Sequence, residues 1–230
     1  MIYVVSDIHG YYDKYIDVLN NINLQDNDTL YVLGDVVDKG KYGCKILLDM
    51  MKHHNIIPLL GNHDNMAKTF LSKLIDKNTD FNEMDASFKR DMMEWIRYEG
   101  KNTFNEFKKL SHDDRLNVLR YLETFKLYEE INVNNKDYIL VHAGLDNFKI
   151  TKRLQDYTID EMIWAETDYD KMYFKDKILI TGHTPVSAIL FDKNADKIYK
   201  KNNHIAIDCG CGYGKKLGVL CLNTMEEMYF

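Results

Sequence analysis

The chain has 230 residues, of which 45% are hydrophobic and 29% charged, and its formal net charge is -6. The length fits one large domain, and the composition is that of a globular protein. The negative balance argues against a broad nucleic-acid or anionic-membrane surface, because such surfaces bind through clustered lysine and arginine. A bound metal ion could still create a local positive site.

The N-terminus leads directly into an apolar run, with no basic targeting region. No apolar stretch approaches the roughly 20 residues that span a bilayer. The four cysteines match neither a disulfide framework nor a zinc ribbon, and they are Cys44, Cys209, Cys211 and Cys221. We therefore expect a cytoplasmic protein with reduced thiols. A redox or metal-binding pair at Cys209 and Cys211 is the alternative.

The first 60 residues alternate short β-branched apolar runs with amphipathic segments. This pattern predicts strands at Ile2–Val5, Leu30–Leu33 and Ile56–Leu60, and helices at Tyr11–Asn21 and Tyr42–His54. An alternation of strand and helix predicts right-handed crossovers and a largely parallel sheet.

Residues 66–127 break this alternation. The segment is rich in helix formers and charges of both signs, and apolar positions near Phe70, Met92 and Leu119 indicate three amphipathic helices. Because no Pro/Gly/Ser linker flanks it, we interpret the segment as a helical insertion within a single domain of residues 1–230. It is either a solvated cover or a cap that selects substrate.

The C-terminal half again predicts strands. Residues 127–133 and 137–141 form a predicted hairpin, followed by strands at 178–181, 204–208 and 216–223. The fold class is therefore α/β, with antiparallel strands added in this half.

Five short polar motifs follow predicted strands, and each contains a glycine. They are Ser6-Asp7-Ile8-His9-Gly10, Gly34-Asp35-Val36-Val37-Asp38, Gly61-Asn62-His63-Asp64, His142-Ala143-Gly144 and Gly182-His183-Thr184. Ligands of open α/β sheets gather at the carboxyl ends of the strands, and glycine allows the backbone to approach them closely. Five such coincidences make chance placement improbable, although a single histidine is more often a core residue than a ligand.

The residue types fit two divalent transition ions that share Asp35. The predicted ligands are Asp7, His9 and Asp35 for one ion, and Asp35, Asn62, His142 and His183 for the other. Mixed oxygen and nitrogen ligands suit Mn, Fe or Zn better than Cu(I), and the histidines argue against Ca or Mg alone. Two such ions about 3.5–4 Å apart can clamp both oxygens of an in-line displacement.

His63 is too close in sequence to Asn62 to share its ion, so we interpret it as a general acid, with Asp38 as its orienting partner. A structural hydrogen bond is the alternative for His63. The remaining histidines have no motif around them and are expected to be ordinary surface or helix residues: His53, His54, His112 and His204.

Together these motifs resemble the calcineurin-like metallophosphoesterases, and more closely the bacterial and phage branch of the phosphoprotein phosphatases. The likeness runs from residue 2 to about residue 223. It implies a four-layer αββα sandwich and phosphoester hydrolysis by a metal-bridging hydroxide. It also implies the same six metal ligands, a catalytic His63 and a supporting Asp38.

The sequence departs from that family pattern where phosphate is bound. Lys39 replaces an arginine, Ala165-Glu166-Thr167 follows Trp164 where many relatives have arginine, and Leu60 stands where the eukaryotic branch often has arginine. Arginine grips a phosphate with a planar fork, whereas lysine offers a point charge. These changes weaken the case for tight phosphomonoester recognition.

Residues 208–217 resemble the family's closing loop. There Tyr213 is predicted to lean over the site and Lys215 to contact a substrate phosphate, with a solvated turn as the alternative. The leading function is hydrolysis of phosphoserine, phosphothreonine or small phosphomonoesters. The second is hydrolysis of dinucleoside polyphosphates or cyclic phosphodiesters, and the third is a non-catalytic scaffold.

Overall fold

The structure is a computed structural model that describes residues 1–75 and 84–230. Its first sheet has five strands in the order β10-β9-β1-β2-β3. Their bounds are Ile2–Val5 (β1), Thr29–Val32 (β2), Ile56–Pro58 (β3), Gly218–Cys221 (β9) and Glu227–Tyr229 (β10). Strands β1, β2 and β3 run parallel, as predicted, and β9 joins β1 antiparallel.

The second sheet also has five strands, in the order β4-β5-β6-β8-β7. Their bounds are Tyr128–Val133 (β4), Lys136–Val141 (β5), Lys177–Thr181 (β6), Tyr199–Lys201 (β7) and His204–Ala206 (β8). The predicted hairpin is β4 and β5, and β5, β6 and β8 run parallel.

The helices form the outer layers. Their bounds are Tyr12–Ile22 (α1), Gly43–Met50 (α2), Asn62–Ser72 (α3), Ala86–Tyr98 (α4), Lys101–Lys109 (α5), His112–Glu123 (α6), Ile159–Ile163 (α7) and Val186–Ile189 (α8). None of the helices in the described ranges is both long and apolar enough to cross a bilayer.

Alternating strand residues separate the layers. Val4 and Leu140 lie in the hydrophobic cluster between the sheets, whereas Val5 packs with the helices on the outer face of the first sheet. Ile139 packs on the outer face of the second sheet with Met162 of α7. Because side chains along a strand point alternately to opposite faces, this pattern produces the predicted four-layer αββα sandwich.

The sequence prediction differs from the structure in both halves of the chain: it did not include the short elements α7, α8, β7 and β10. Helix α5 was missed, α2 ends at Met50 rather than His54, and α3 already begins at Asn62. Helices α3 to α6 share one hydrophobic cluster with the first sheet. The predicted insertion of residues 66–127 includes residues 76–83, which lie outside the described residues. The single-domain assignment of residues 1–230 stays a prediction.

Candidate dinuclear metal centre

The five motifs meet at one edge of the sandwich. They follow β1, β2 and β3 of the first sheet and β5 and β6 of the second. Six of the residues predicted for the site have a positive φ, between 48° and 71°, namely Asp7, His9, Asp35, Asp38, Lys39 and His183. Non-glycine residues with a positive φ are uncommon, and a concentration of them in one place is typical of functional sites.

Two glycines allow the motif loops to touch. A Cβ atom on Gly61 would lie 2.2 Å from Asp35 Oδ1, and one on Gly182 would lie 2.2 Å from Asp7 Oδ2. Neither contact is sterically allowed for a larger residue. The glycines therefore bring the third loop against Asp35 and the fifth loop against Asp7.

Asp35 is the centre of the arrangement and is only 2% exposed. Its Oδ1 lies 3.4 Å from His142 Nε2, and its Oδ2 lies 3.6 Å from His9 Nε2 and 3.9 Å from His63 Nε2. Two groups of side chains can each gather their ligand atoms within 4.8 Å: one of His9, Asp35 and His63, the other of Asp35, His142 and His183. Asp35 belongs to both groups, so it is placed to bridge two ions.

The histidine hydrogen bonds define which ring nitrogens could bind a metal ion. His9 Nδ1 lies 3.0 Å from the Val37 carbonyl, and His142 Nδ1 lies 2.6 Å from the Leu33 carbonyl. A carbonyl only accepts, so each Nδ1 carries the hydrogen and, in the neutral ring, each Nε2 presents a lone pair. Both lone pairs then face oxygens of Asp35, at 3.6 and 3.4 Å, and a cation between each nitrogen and oxygen would be bound by both.

Asn62 extends the same pattern to the second group. Its Oδ1 lies 2.9 Å from His142 Nε2 and 3.0 Å from His183 Nδ1. Mixed amide, imidazole and carboxylate ligands of this kind suit a divalent transition ion. The sequence suggested that Asn62 and His63 lie at the end of a strand. In the structure they lie in the first turn of α3.

Electrostatics favour an ionised Asp35 and neutral rings at His9 and His183. Burial alone would raise the pKa of Asp35, but His142, His63 and His9 outweigh it and hold the pKa below its ordinary value. Burial lowers the pKa of His9 to about 4. Burial and the neighbouring His142 also lower the pKa of His183. Neutral imidazoles and carboxylates are the forms that bind metal ions.

Asp7 lies at the edge of the group. Its Oδ1 is 3.9 Å from His9 Nε2, and its Oδ2 accepts hydrogen bonds from the Ser6 hydroxyl and, at 3.0 Å, from the His183 amide.

A further buried carboxylate, Asp208, had not been predicted as a site residue. Burial and the nearby Asp7 raise the pKa of Asp208 well above its ordinary value.

His63 and Asp38 form a buried pair, with His63 Nδ1 2.8 Å from Asp38 Oδ2. Trp95 Nε1 donates to the same Oδ2 at 2.7 Å, and the Thr103 hydroxyl donates to Oδ1 at 2.7 Å. Burial alone would lower the pKa of His63, but Asp35 and the hydrogen bond to Asp38 raise it to about 9. Helices α4 and α5 thus hold Asp38, a role that sequence reasoning missed.

Asp64 holds the loop that carries Asp35, and it is fully buried. Its Oδ2 accepts from the Asp35 amide at 2.7 Å, and its Oδ1 accepts from the Val36 amide at 3.0 Å. The amide of Gly61 donates to Oδ2 at 3.2 Å. These bonds satisfy backbone groups that would otherwise be buried without partners. The sequence offered a signal, since Asp64 belongs to the motif that contains His63.

The predicted phosphate contacts divide into two groups. Lys39 Nζ lies 3.1 Å from His9 Nε2 and 4.4 Å from the centre of the Tyr213 ring, so these two residues border the site. The Lys215 ammonium donates instead to the Lys193 carbonyl, and to that of Ala195 at 3.3 Å. The Lys215 ammonium is therefore bound to a different loop, that of residues 193–195.

One expectation was wrong: His204 is buried, with 2% exposure, rather than an ordinary surface or helix residue. Its Nε2 lies 2.9 Å from the Thr181 hydroxyl, and its ring stacks on Tyr169 with centroids 4.5 Å apart. No alternating pattern marks the short strand β8, so the sequence did not reveal this burial. All four cysteines are free and buried.

A sequence model of the calcineurin-like phosphoesterase family matches residues 1–210. The chain therefore belongs to the calcineurin-like phosphoesterases, and it is a phosphoester hydrolase of the class that its motifs predicted. The four-layer fold and the family assignment are both confirmed.

Several relatives share most of the chain. The asymmetrical bis(5'-nucleosyl)-tetraphosphatase PrpE of Bacillus velezensis is 25% identical, over 93% of this chain and 86% of its own length. Serine/threonine-protein phosphatase 2 of Salmonella typhimurium is 28% identical, over 71% of this chain and 67% of its own length. The crystal structure of a protein proposed to be a diadenosine tetraphosphatase superposes with a TM-score of 0.66 at 17% identity, covering 100% of this chain and 92% of that one. At that identity the structural likeness concerns the fold.

Proposed function

We propose that the chain hydrolyses phosphoesters at a dinuclear centre held by Asp7, His9, Asp35, Asn62, His142 and His183. The observation that carries the proposal is the convergence of His9 Nε2 and His142 Nε2 on the two oxygens of Asp35, at 3.6 Å and 3.4 Å. Divalent transition ions held there, with Mn proposed first and Fe or Zn as alternatives, supply Lewis-acid polarisation and a nucleophile at neutral pH.

His63 supplies the proton in this proposal. Its Nδ1 donates to Asp38, so its Nε2 is the atom free to face the reaction, and that atom lies 3.9 Å from Asp35 Oδ2. Asp35 and the hydrogen bond to Asp38 both raise the pKa of the ring, which favours the form with a hydrogen on both nitrogens. Nε2 can therefore donate a proton to the departing oxygen, and Asp38 stabilises the charged ring and fixes its orientation.

Two substrate classes fit this chemistry, and each has a relative in support. The phosphatase of Salmonella typhimurium supports phosphoserine, phosphothreonine or small monoesters, the class that the sequence favoured. The PrpE relative covers more of the chain and supports a dinucleoside polyphosphate. Lys39 and Glu166, which stand where the family pattern has arginine, favour the second class, because arginine is the residue suited to gripping a terminal phosphate.

The deciding experiment is a substrate panel with added Mn: a phosphopeptide, an aryl monoester, an aryl diester and a dinucleoside tetraphosphate. The proposal expects metal-dependent turnover of at least one of them, lost when the ions are chelated. Turnover that is unchanged by chelation would contradict the dinuclear centre. A panel without any turnover would favour the non-catalytic scaffold.

A further inference from the structure

A cavity of about 510 Å³ lies beside the metal-binding edge. It is bordered by the starts of helices α1 and α5 and by the loop before α2. Drug-sized ligands occupy pockets of roughly 300–1,000 Å³, so the cavity has room for a nucleoside with phosphate. Among its lining residues are three tyrosines, Tyr11, Tyr12 and Tyr42, and three lysines, Lys14, Lys39 and Lys41.

The lining combines aromatic surface with positive charge. Lys39 and Lys41 line the cavity together with one carboxylate, that of Asp13. The Lys14 ammonium is not available to a ligand in the same way, because it already donates to the Lys215 and Phe230 carbonyls at 2.6 and 2.8 Å. The Tyr12 and Tyr42 rings lie 6.5 Å apart and nearly perpendicular, and Tyr42 is 46% exposed. The Lys45 ammonium lies over the Tyr12 ring at 3.6 Å and is 5.6 Å from the centre of the Tyr42 ring. The exposed Tyr42 ring is therefore the surface on which a nucleobase can stack, and the nearby lysines attract its phosphates.

Backbone donors add to this positive character. No side chain caps the first turn of α1 or of α5. Uncapped first turns present amide hydrogens together with the positive end of the helix dipole, which suits an anion. The start of α2 differs, because the Glu106 carboxylate already accepts from the Cys44 and Lys45 amides.

Lys39 joins the cavity to the metal centre. It lines the cavity, yet its Nζ lies 3.1 Å from His9 Nε2. A backbone hydrogen bond also joins the cavity lining to the metal-binding loop, since the Gly40 amide donates to the His9 carbonyl at 2.8 Å. A ligand in the cavity can therefore extend a phosphate chain past Lys39 toward Asp35.

We infer that this cavity is a nucleotide subsite, in which a base packs against Tyr42 while its phosphates run past Lys39 to the reacting centre. The inference rests on the proposed hydrolase function and names nucleotides with a polyphosphate chain as its substrate class. A phosphopeptide would use the charge of the subsite but not its aromatic surface.

Binding of AMP to the metal-free protein, measured by calorimetry, tests the subsite without turnover. Lys41 and Tyr42 are exposed, so the double variant Lys41→Ala/Tyr42→Ala is expected to fold. Stacking lost at one base should weaken AMP binding by roughly tenfold. The matched control is Phe191→Ala/Lys193→Ala, which removes an exposed aromatic residue and an exposed lysine outside this cavity and should leave AMP binding unchanged.

Two comparisons make the result specific. Ribose 5-phosphate, which lacks the base, should bind more weakly than AMP, and equal affinity would overturn the inference. With Mn present, the ratio of kcat/KM for diadenosine tetraphosphate to that for an aryl phosphate should fall about tenfold in the cavity variant, and an unchanged ratio would overturn it. The wild type could bind AMP, the cavity variant could lose that binding, and yet no substrate could be turned over. That result would support the subsite and overturn the proposed hydrolase function.

Discussion

Asp38 Oδ2 lies 2.8 Å from His63 Nδ1, and both residues are buried. This contact fixes which nitrogen of His63 faces the reaction, and together with the charge of Asp35 it raises the pKa of the buried ring. Asp38 is itself held by Trp95 and Thr103, so the orientation of His63 depends on helices that lie outside the metal-binding motifs.

His63→Asn should lower turnover of an aryl phosphate by roughly 10²–10⁴-fold, the usual contribution of a general acid. Because His63 is proposed as a proton donor, the metal content should stay at the wild-type value. Steady-state kinetics and elemental analysis on the same sample measure both quantities. His54→Asn, at an exposed histidine, is the control. Loss of metal in His63→Asn would mean that His63 is a ligand.

Thr103→Val should lower turnover by about tenfold, because it removes the hydroxyl that positions Asp38. Thr103→Ser keeps a hydroxyl at the same place and should recover most of the activity. The kinetics of the two variants are compared at matched folded fraction. Equal losses in both would mean that Thr103 acts only through packing.

These contacts mark the limit of what the sequence predicts. Asp7, Asp35 and His142 were found from the sequence because each follows an apolar strand within a short glycine-containing motif, a purely local signal. Thr103 and Trp95 lie on helices with ordinary amphipathic patterns, and nothing local shows which of their side chains reaches Asp38. Helix α5 was missed for a related reason, since its few apolar positions include Phe104 and Phe107 among mostly polar residues.

Lys39→Arg should lower the KM for an aryl monoester by about tenfold, the effect of one added charge-assisted hydrogen bond. The Lys39 ammonium already lies beside His9 and Tyr213, so a guanidinium at this position can reach a phosphate at the same edge. Initial-rate kinetics provide the test, with Lys193→Arg as an exposed control. An unchanged KM would show that the missing arginine does not limit monoester binding.

His204 should make the fold sensitive to acid. Burial lowers its pKa from 6.5 to about 3, so between these values the unfolded chain binds a proton that the folded chain does not. Stability is therefore lost as pH falls below 6.5, by about 1.4 kcal/mol per unit, or about 2 kcal/mol at pH 5.

His204→Gln should remove that part of the pH dependence, and His54→Gln, at an exposed histidine, should not. Urea unfolding at pH 7 and pH 5 in the presence of a chelator gives the free energies of unfolding without a contribution from metal loss. The same decrease between the two pH values in wild type and His204→Gln would show that other groups cause the acid sensitivity.

The central claim is that Asp35 bridges two cations, and metal content measures it most directly. After equilibration with Mn and removal of free ions, elemental analysis should find about two ions per wild-type chain and clearly fewer in Asp35→Asn. Asp17→Asn, at an exposed carboxylate, should match the wild type. A wild-type chain that retains no transition metal, or an Asp35→Asn variant that retains as much as the wild type, would contradict the account.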